Sequence, residues 1–81
     1  MIALGDVETI RVGSRVRLHD QDGEDDLSVV RPEEADPFTG LVSVESPLGR
    51  ALLGRSAGDC VNVRTPGGLR SVTVVAILSE S

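Results

Sequence analysis

The sequence is almost devoid of aromatic side chains: Phe38 is its single aromatic among 81 residues. Single-stranded nucleic acid binds by stacking its bases on aromatic side chains, and such a platform is missing. Lysine is also absent, and eight arginines stand against thirteen acidic residues, which gives a net charge of −5. Nucleic acid is a polyanion and normally requires a basic stripe. The composition argues against direct, specific nucleic-acid binding and favours a protein partner with a basic surface.

Cysteine and long apolar runs are equally scarce. Cys60 is the only cysteine, so no intrachain disulfide is possible, and a lone thiol suits a reducing cytoplasm. Residues 1–6 lack the basic start and apolar run of a signal peptide. No apolar stretch approaches the ~18 residues that a membrane span needs. We therefore expect a cytoplasmic protein without membrane contact.

The length allows one domain at most. A hydrophobic content of 40% with 26% charged residues is typical of a globular chain. Because only one aromatic is present, aliphatic side chains must form the core. We expect a lead-in over residues 1–10, a globular domain over 11–78 and a tail over 79–81, present as a monomer.

Alternation of apolar and polar residues is the dominant pattern and predicts five strands. The predicted strands cover residues 14–20, 27–30, 41–45, 60–65 and 69–78. Residues 20–26, with an Asp-Gly pair, and residues 66–68 are typical of hairpin turns, which join antiparallel strands. Residues 33–37 form a charged connector.

One short helix is predicted after the third strand. Ser46 is a typical N-cap, and Pro47 suits the first helical position. Leu48, Ala51 and Leu52 follow the spacing of one apolar helix face, and Gly54 ends the helix. The sequence therefore predicts an α+β fold, an antiparallel β-sheet of about five strands with one short α-helix.

The acidic segment 20–26 raises the question of a metal site. A calcium-binding EF-hand loop requires glycine at its sixth position and glutamate at its twelfth, between two helices. Counted from Asp20, these positions hold Asp25 and Arg31, and strands flank the segment. The sequence favours a solvated hairpin tip and predicts no metal site.

His19 and Cys60 are each the only residue of their kind. A Cys–His nucleophilic pair needs side chains within hydrogen-bond reach and a third, orienting group. Cys60 begins a strand and is interpreted as a small core filler, and His19 lies on the polar face of a strand. The glycines at 67–68 lead into a strand, unlike those of a phosphate-binding loop. We predict no catalytic residue, no cofactor and no enzyme activity.

The segment 45–50 runs from a strand end into the helix start, and two interpretations stay open for it. It serves either as a helix cap alone or also as a contact site for a partner. Gly49 costs a helix about 0.8–1.0 kcal/mol relative to alanine, but it would let another backbone approach closely. A helix N-terminus also favours acidic groups or carbonyl oxygens. The candidate partner-binding residues are Glu45, Ser46, Pro47, Leu48 and Arg50.

Several segments resemble the C-terminal domain of the Gre transcript-cleavage factors. They are ESPLGRALLGR at 45–55, GD at 58–59, VNV at 61–63 and TPGG at 65–68. Upstream, VGSRV at 12–16 and VRPEEAD at 30–36 resemble the opening and the connector of that domain. The resemblance covers residues 11–78 in the family's order.

The resemblance implies an FKBP-like fold and a docking role. In the Gre family this domain binds the coiled coil at the rim of the secondary channel, on the largest catalytic subunit of bacterial RNA polymerase. The family's acidic-Ser-Pro contact segment falls on Glu45, Ser46 and Pro47, although aspartate is common where this chain has Glu45. Transcript cleavage in the family comes from an N-terminal coiled coil, and no heptad pattern is found here, so docking without cleavage is implied.

The alternative is an FKBP-like peptidyl-prolyl isomerase or chaperone-type module, because one fold hosts many functions. An isomerase pocket of that kind is lined by aromatic side chains. A single phenylalanine cannot line it, so the sequence favours docking.

Overall fold

The computed structural model describes residues 8–79, and these form one five-stranded sheet with a short helix. The strands are β1 (Arg15–Asp20), β2 (Gly23–Val30), β3 (Leu41–Ser43), β4 (Cys60–Thr65) and β5 (Gly68–Ser79). The helix α1 spans Pro47–Leu52, and 3-10 turns span Pro32–Glu34 and Pro37–Thr39. The predicted lead-in and tail fall mainly on residues 1–7 and 80–81, which lie outside the described residues.

The sheet has the strand order β3-β2-β1-β5-β4 and is mixed. The β1–β2, β1–β5 and β4–β5 pairs are antiparallel, whereas β2 and β3 are parallel. Residues 31–40 carry the chain back until Leu41 lies opposite Ser28, so β3 runs in the direction of β2. A parallel pair requires such a longer connection in place of a tight hairpin turn. The prediction of five strands and one helix is confirmed, and the prediction of a purely antiparallel sheet is wrong.

The core lies on one face of the sheet, here called the inner face, against α1. Strand residues alternate between the two faces, and the buried inward positions of the strands are occupied by valine and leucine. The buried core residues are Ile10, Val16, Leu18, Val29, Leu52, Val61, Val63, Val72 and Val74. An aliphatic core is therefore confirmed.

The segment before β1 is attached to the end of α1. The Ile10 N–H donates to the Arg55 carbonyl oxygen at 2.8 Å, and the Gly54 N–H donates to the Ile10 carbonyl oxygen at 2.8 Å. Gly54 has a φ of 82°, a left-handed conformation that glycine adopts without a Cβ penalty after a helix end. The glycine thus ends α1 and also joins it to the chain before β1.

The β1–β2 hairpin is tighter than its polar sequence indicates. β2 begins at Gly23 opposite Asp20, four positions before the predicted start at Leu27. The Asp22 N–H donates to Asp20 Oδ1 at 2.8 Å inside the turn. On the outer face, Arg17 lies opposite Asp26 and makes two hydrogen bonds to its carboxylate, at 2.8 and 3.2 Å.

Within the described part of the chain, no helix is both long and apolar enough to cross a membrane.

Leu52→Ala should destabilise the domain strongly, and the neighbouring Leu53→Ala should not. Leu52 is 0% exposed, whereas Leu53 is 38% exposed at the helix end. Truncating a buried leucine costs about 2–5 kcal/mol, comparable to the net stability of ~3–5 kcal/mol that a core of this size supplies. Urea unfolding of both variants measures the difference. Equal losses would contradict the placement of α1.

Acid should weaken the outer-face pair between Arg17 and Asp26. The hydrogen bond from Arg17 lowers the pKa of Asp26 below its ordinary value of 3.8. The stability that Asp26 contributes is present above the unfolded pKa and is lost as the pH falls through the lower folded pKa. Asp26→Asn should therefore show a smaller loss of stability below about pH 4 than the parent chain, in unfolding curves recorded from pH 7 to pH 2. An equal loss of stability at low pH in both proteins would contradict this pairing.

Candidate functional site

The turn before α1 is held by its own side chains. Ser46 has an extended backbone, and its Oγ accepts the Gly49 N–H at 3.1 Å, as an N-cap does. The same hydroxyl donates to the Ser43 carbonyl oxygen at 2.7 Å, and Ser43 Oγ accepts the Glu45 N–H at 3.0 Å. These bonds fix the path of residues 43–49, and the predicted cap is confirmed.

Gly49 permits the close contact between α1 and the end of β3. Gly49 is buried, and a Cβ placed on it would lie 2.0 Å from the Ser43 carbonyl oxygen. The backbone that approaches Gly49 is therefore Ser43 of the same chain. The absence of a side chain at this position serves the packing of the helix.

The five candidate partner-binding residues lie together around this turn. Glu45, Pro47 and Arg50 are exposed, and Ser46 and Leu48 are half-buried. Pro47 and Arg50 are three positions apart, which places them on one side of the helix. The structure thus presents this segment to solvent, and its role as a contact surface stays a prediction.

A cavity opens beside Leu48, between α1 and the hairpin end of the sheet. Its volume is about 150 Å³. Its apolar walls are formed by Leu18, Leu27, Leu48, Val63 and Val72. Its charged rim is formed by Asp20, Asp25 and Arg70. We call this space the Leu48 cavity; none of the described residues that line it is aromatic.

The three rim residues were not predicted from the sequence, because segment 20–26 was treated as a solvated tip and no role was assigned to Arg70. Asp25 lies directly opposite Leu18, and Arg70 lies directly opposite Val63, so both share the inner face. Asp20 follows Leu18 at the same two-residue spacing. If the alternation of inward and outward side chains is extended to the ends of the strands, all three residues are predicted to lie on the inner face.

Arg70 connects the tips of the two hairpins. Its guanidinium binds the Asp20 carboxylate and lies 3.8 Å from the Asp22 carboxylate. The Arg70 side chain is 51% exposed and that of Asp20 is 12% exposed. The ion pair therefore lies at the cavity mouth, where the aspartate is largely covered.

Cys60 is exposed, so its interpretation as a core filler is wrong. Val61 and Val63 point inward, and Cys60 therefore lies on the opposite, outer face. His19 is also exposed. His19 and Cys60 lie opposite Thr73 on either side of β5, which separates them by two strand spacings, or about 9.5 Å. That distance is too long for a catalytic hydrogen bond.

Among residues 8–79, no group of three or more His, Cys, Asp or Glu side chains is arranged to hold a metal ion. The acidic residues around the hairpin tip are distributed over both sheet faces, with Asp25 on the inner face and Asp26 on the outer face.

The same fold occurs in transcription factors of known structure. GreA factor homolog 1 (Gfh1) of Thermus thermophilus is 39% identical, with a TM-score of 0.80 over 96% of this chain and 53% of that chain. Gfh1 of Thermus aquaticus is 36% identical, with a TM-score of 0.82 over 98% of this chain and 54% of that chain. The five-stranded mixed sheet with one short helix is thus the fold of their matching domain.

Sequence comparison gives the family. Residues 5–79 match the family model "Transcription elongation factor, GreA/GreB, C-term". Transcription elongation factor GreA of Roseiflexus sp. (strain RS-1) is 44% identical over 75 residues, which cover 90% of this chain and 48% of that relative. The chain belongs to the GreA/GreB family of transcription elongation factors, and its matched residues correspond to the C-terminal domain. It spans about half the length of the relatives it matches.

Ser46→Ala should lower the stability of the domain by about 1 kcal/mol, within the 0.5–2 kcal/mol range of lost N-caps. The variant loses the acceptor for the Gly49 N–H and the donor to the Ser43 carbonyl oxygen. Ser46→Thr retains a hydroxyl and should recover most of the loss. Thermal unfolding of the three proteins measures both effects, and an alanine variant as stable as the parent would contradict the cap.

Proposed function

We propose that this domain docks on bacterial RNA polymerase, at the coiled coil on the rim of the secondary channel of the largest subunit. The observation that carries the proposal is the exposed turn at residues 45–50 next to the open Leu48 cavity. Membership of the elongation-factor family supports a polymerase partner. The candidate contact residues are Glu45, Ser46, Pro47, Leu48 and Arg50.

The turn and the cavity supply different parts of a binding site. The hydrogen bonds of Ser43 and Ser46 hold the turn in one conformation, and a preorganised surface loses less entropy on binding. Leu48 belongs both to the turn and to the cavity wall. An apolar cavity of about 150 Å³ can accept a group as large as benzene, so an aliphatic side chain of a partner helix fits it.

Charge supports the same kind of partner. The net charge of −5 favours a basic surface and accelerates its encounter with this domain. Salt screens such attraction, so the affinity should fall as the ionic strength rises. Docking on polymerase also places the domain in the bacterial cytoplasm, and we propose that it acts there as a monomer.

The proposal covers docking alone. Transcript cleavage, which the family resemblance associates with a coiled coil, is not assigned to these residues. The prolyl-isomerase alternative is not favoured, because the Leu48 cavity has no aromatic lining and Phe38 is 96% exposed.

Pro47→Ala and Ser46→Ala should each weaken binding to a polymerase rim coiled-coil fragment about tenfold, equivalent to about 1.4 kcal/mol. Pro47 is exposed at the first position of α1, so its ring is available to the partner. Fluorescence anisotropy with a labelled coiled-coil fragment measures the affinities.

Pro32→Ala is the matched control. Pro32 is also exposed and also begins a short helical turn, but it lies outside the candidate surface. Its replacement should leave the affinity unchanged. Binding by Pro47→Ala and Ser46→Ala that equals that of the parent would remove the proposed surface.

A further inference from the structure

We propose that the charged rim of the Leu48 cavity selects a partner segment in which an aliphatic side chain is flanked by lysine or arginine. The inference rests on the proposed function, since it assigns a specificity to the same docking site. It makes Asp25 the specificity-determining residue.

Among the described residues that line the cavity, Arg70 is the only basic one, and it already has carboxylate partners. Arg70 binds Asp20 and lies 3.8 Å from Asp22, so two carboxylates surround one guanidinium. A carboxylate from a partner could reach the remaining N–H groups of Arg70, whose side chain is 51% exposed, but it would meet the carboxylates of Asp20, Asp22 and Asp25 around a single guanidinium. The rim therefore does not favour an acidic group beside the inserted side chain.

Asp25 provides the unmatched charge. It lines the cavity, lies directly opposite Leu18, and has an exposed side chain. Among residues 8–79 its carboxylate makes no hydrogen bond or ion pair, in contrast to the neighbouring Asp26, which binds Arg17. With Arg70 matched by Asp20, the rim presents a net negative charge next to an apolar floor.

Insertion of an apolar side chain strengthens this selection. When a partner covers the cavity mouth, water leaves the space around Asp25 and the effective dielectric constant falls. An opposite charge beside the inserted group then gains more than at an open surface, and a like charge is penalised. The preferred occupant is a helix end that carries a leucine-type side chain next to basic residues.

The test uses two alanine-rich helical peptides that share one leucine and differ only in carrying lysine or glutamate on either side of it. Each peptide is titrated into the domain, and the methyl NMR signals of Leu18, Leu48 and Val63 report cavity occupancy. The lysine peptide should bind about fivefold more tightly than the glutamate peptide, the ratio expected for a favourable exposed ion pair. Equal affinities, or no methyl shifts with either peptide, would overturn the proposal.

Asp25→Asn and Glu24→Gln form a matched pair of variants. The two residues are adjacent on β2, carry the same charge and point to opposite faces, because Glu24 lies opposite His19. Asp25→Asn should abolish the preference for lysine, whereas Glu24→Gln should preserve it. If both variants lose the preference for the lysine peptide, the preference depends on net charge alone and the proposal is overturned.

The peptides contain no polymerase sequence, which separates the two proposals. If the rim coiled-coil fragment does not bind but the lysine preference is present and depends on Asp25, the charge selection stands and the polymerase partner is wrong. If the fragment binds and the preference is absent, the docking surface stands and the charge selection is wrong.

Discussion

The packing of α1 against the inner face of the sheet determines both the core and the site. Leu52 is fully buried in the core, and Gly49 brings the helix against the Ser43 backbone. A helix of six residues is only about 9 Å long, whereas the twelve residues of β5 extend over about 40 Å. One short helix therefore covers only part of the inner face. The Leu48 cavity is the part next to the hairpin tips that the helix does not fill.

Local sequence patterns predicted the elements well because their causes are local. Alternation identified all five strands, and the Ser46-Pro47 pair identified the start of α1, since both depend on neighbouring residues. The parallel pairing of β2 and β3 depends on how residues 31–40 fold back, through backbone hydrogen bonds between Asp36 and Leu41. The turn-forming residues in segment 31–40 do not specify that the chain folds back so that β3 runs parallel to β2.

Residues at strand ends were interpreted less accurately, and for a single reason. Cys60 was assigned to the core because of its residue type. It is adjacent to the inward-pointing Val61, however, and therefore lies on the outer face. Asp20 and Asp25 were treated as part of a solvated tip because of their charge. Asp25 is indeed exposed, but the strand alternation places both residues on the inner face, beside the cavity. In this domain the two-residue alternation of a strand is a better guide to direction than the polarity of the side chain itself.

The charged rim follows from the same alternation. β5 points Arg70 inward two residues before the inward valine Val72, and its half-exposed guanidinium lies beside the apolar floor of the cavity. Asp20, inward on the neighbouring hairpin, supplies its carboxylate partner. The ion pair ties the two hairpin tips together, and it leaves Asp25 as the charge that an incoming side chain meets. The ion pair between Arg70 and Asp20 thus joins the two hairpins and also determines that a partner side chain beside the cavity should be basic.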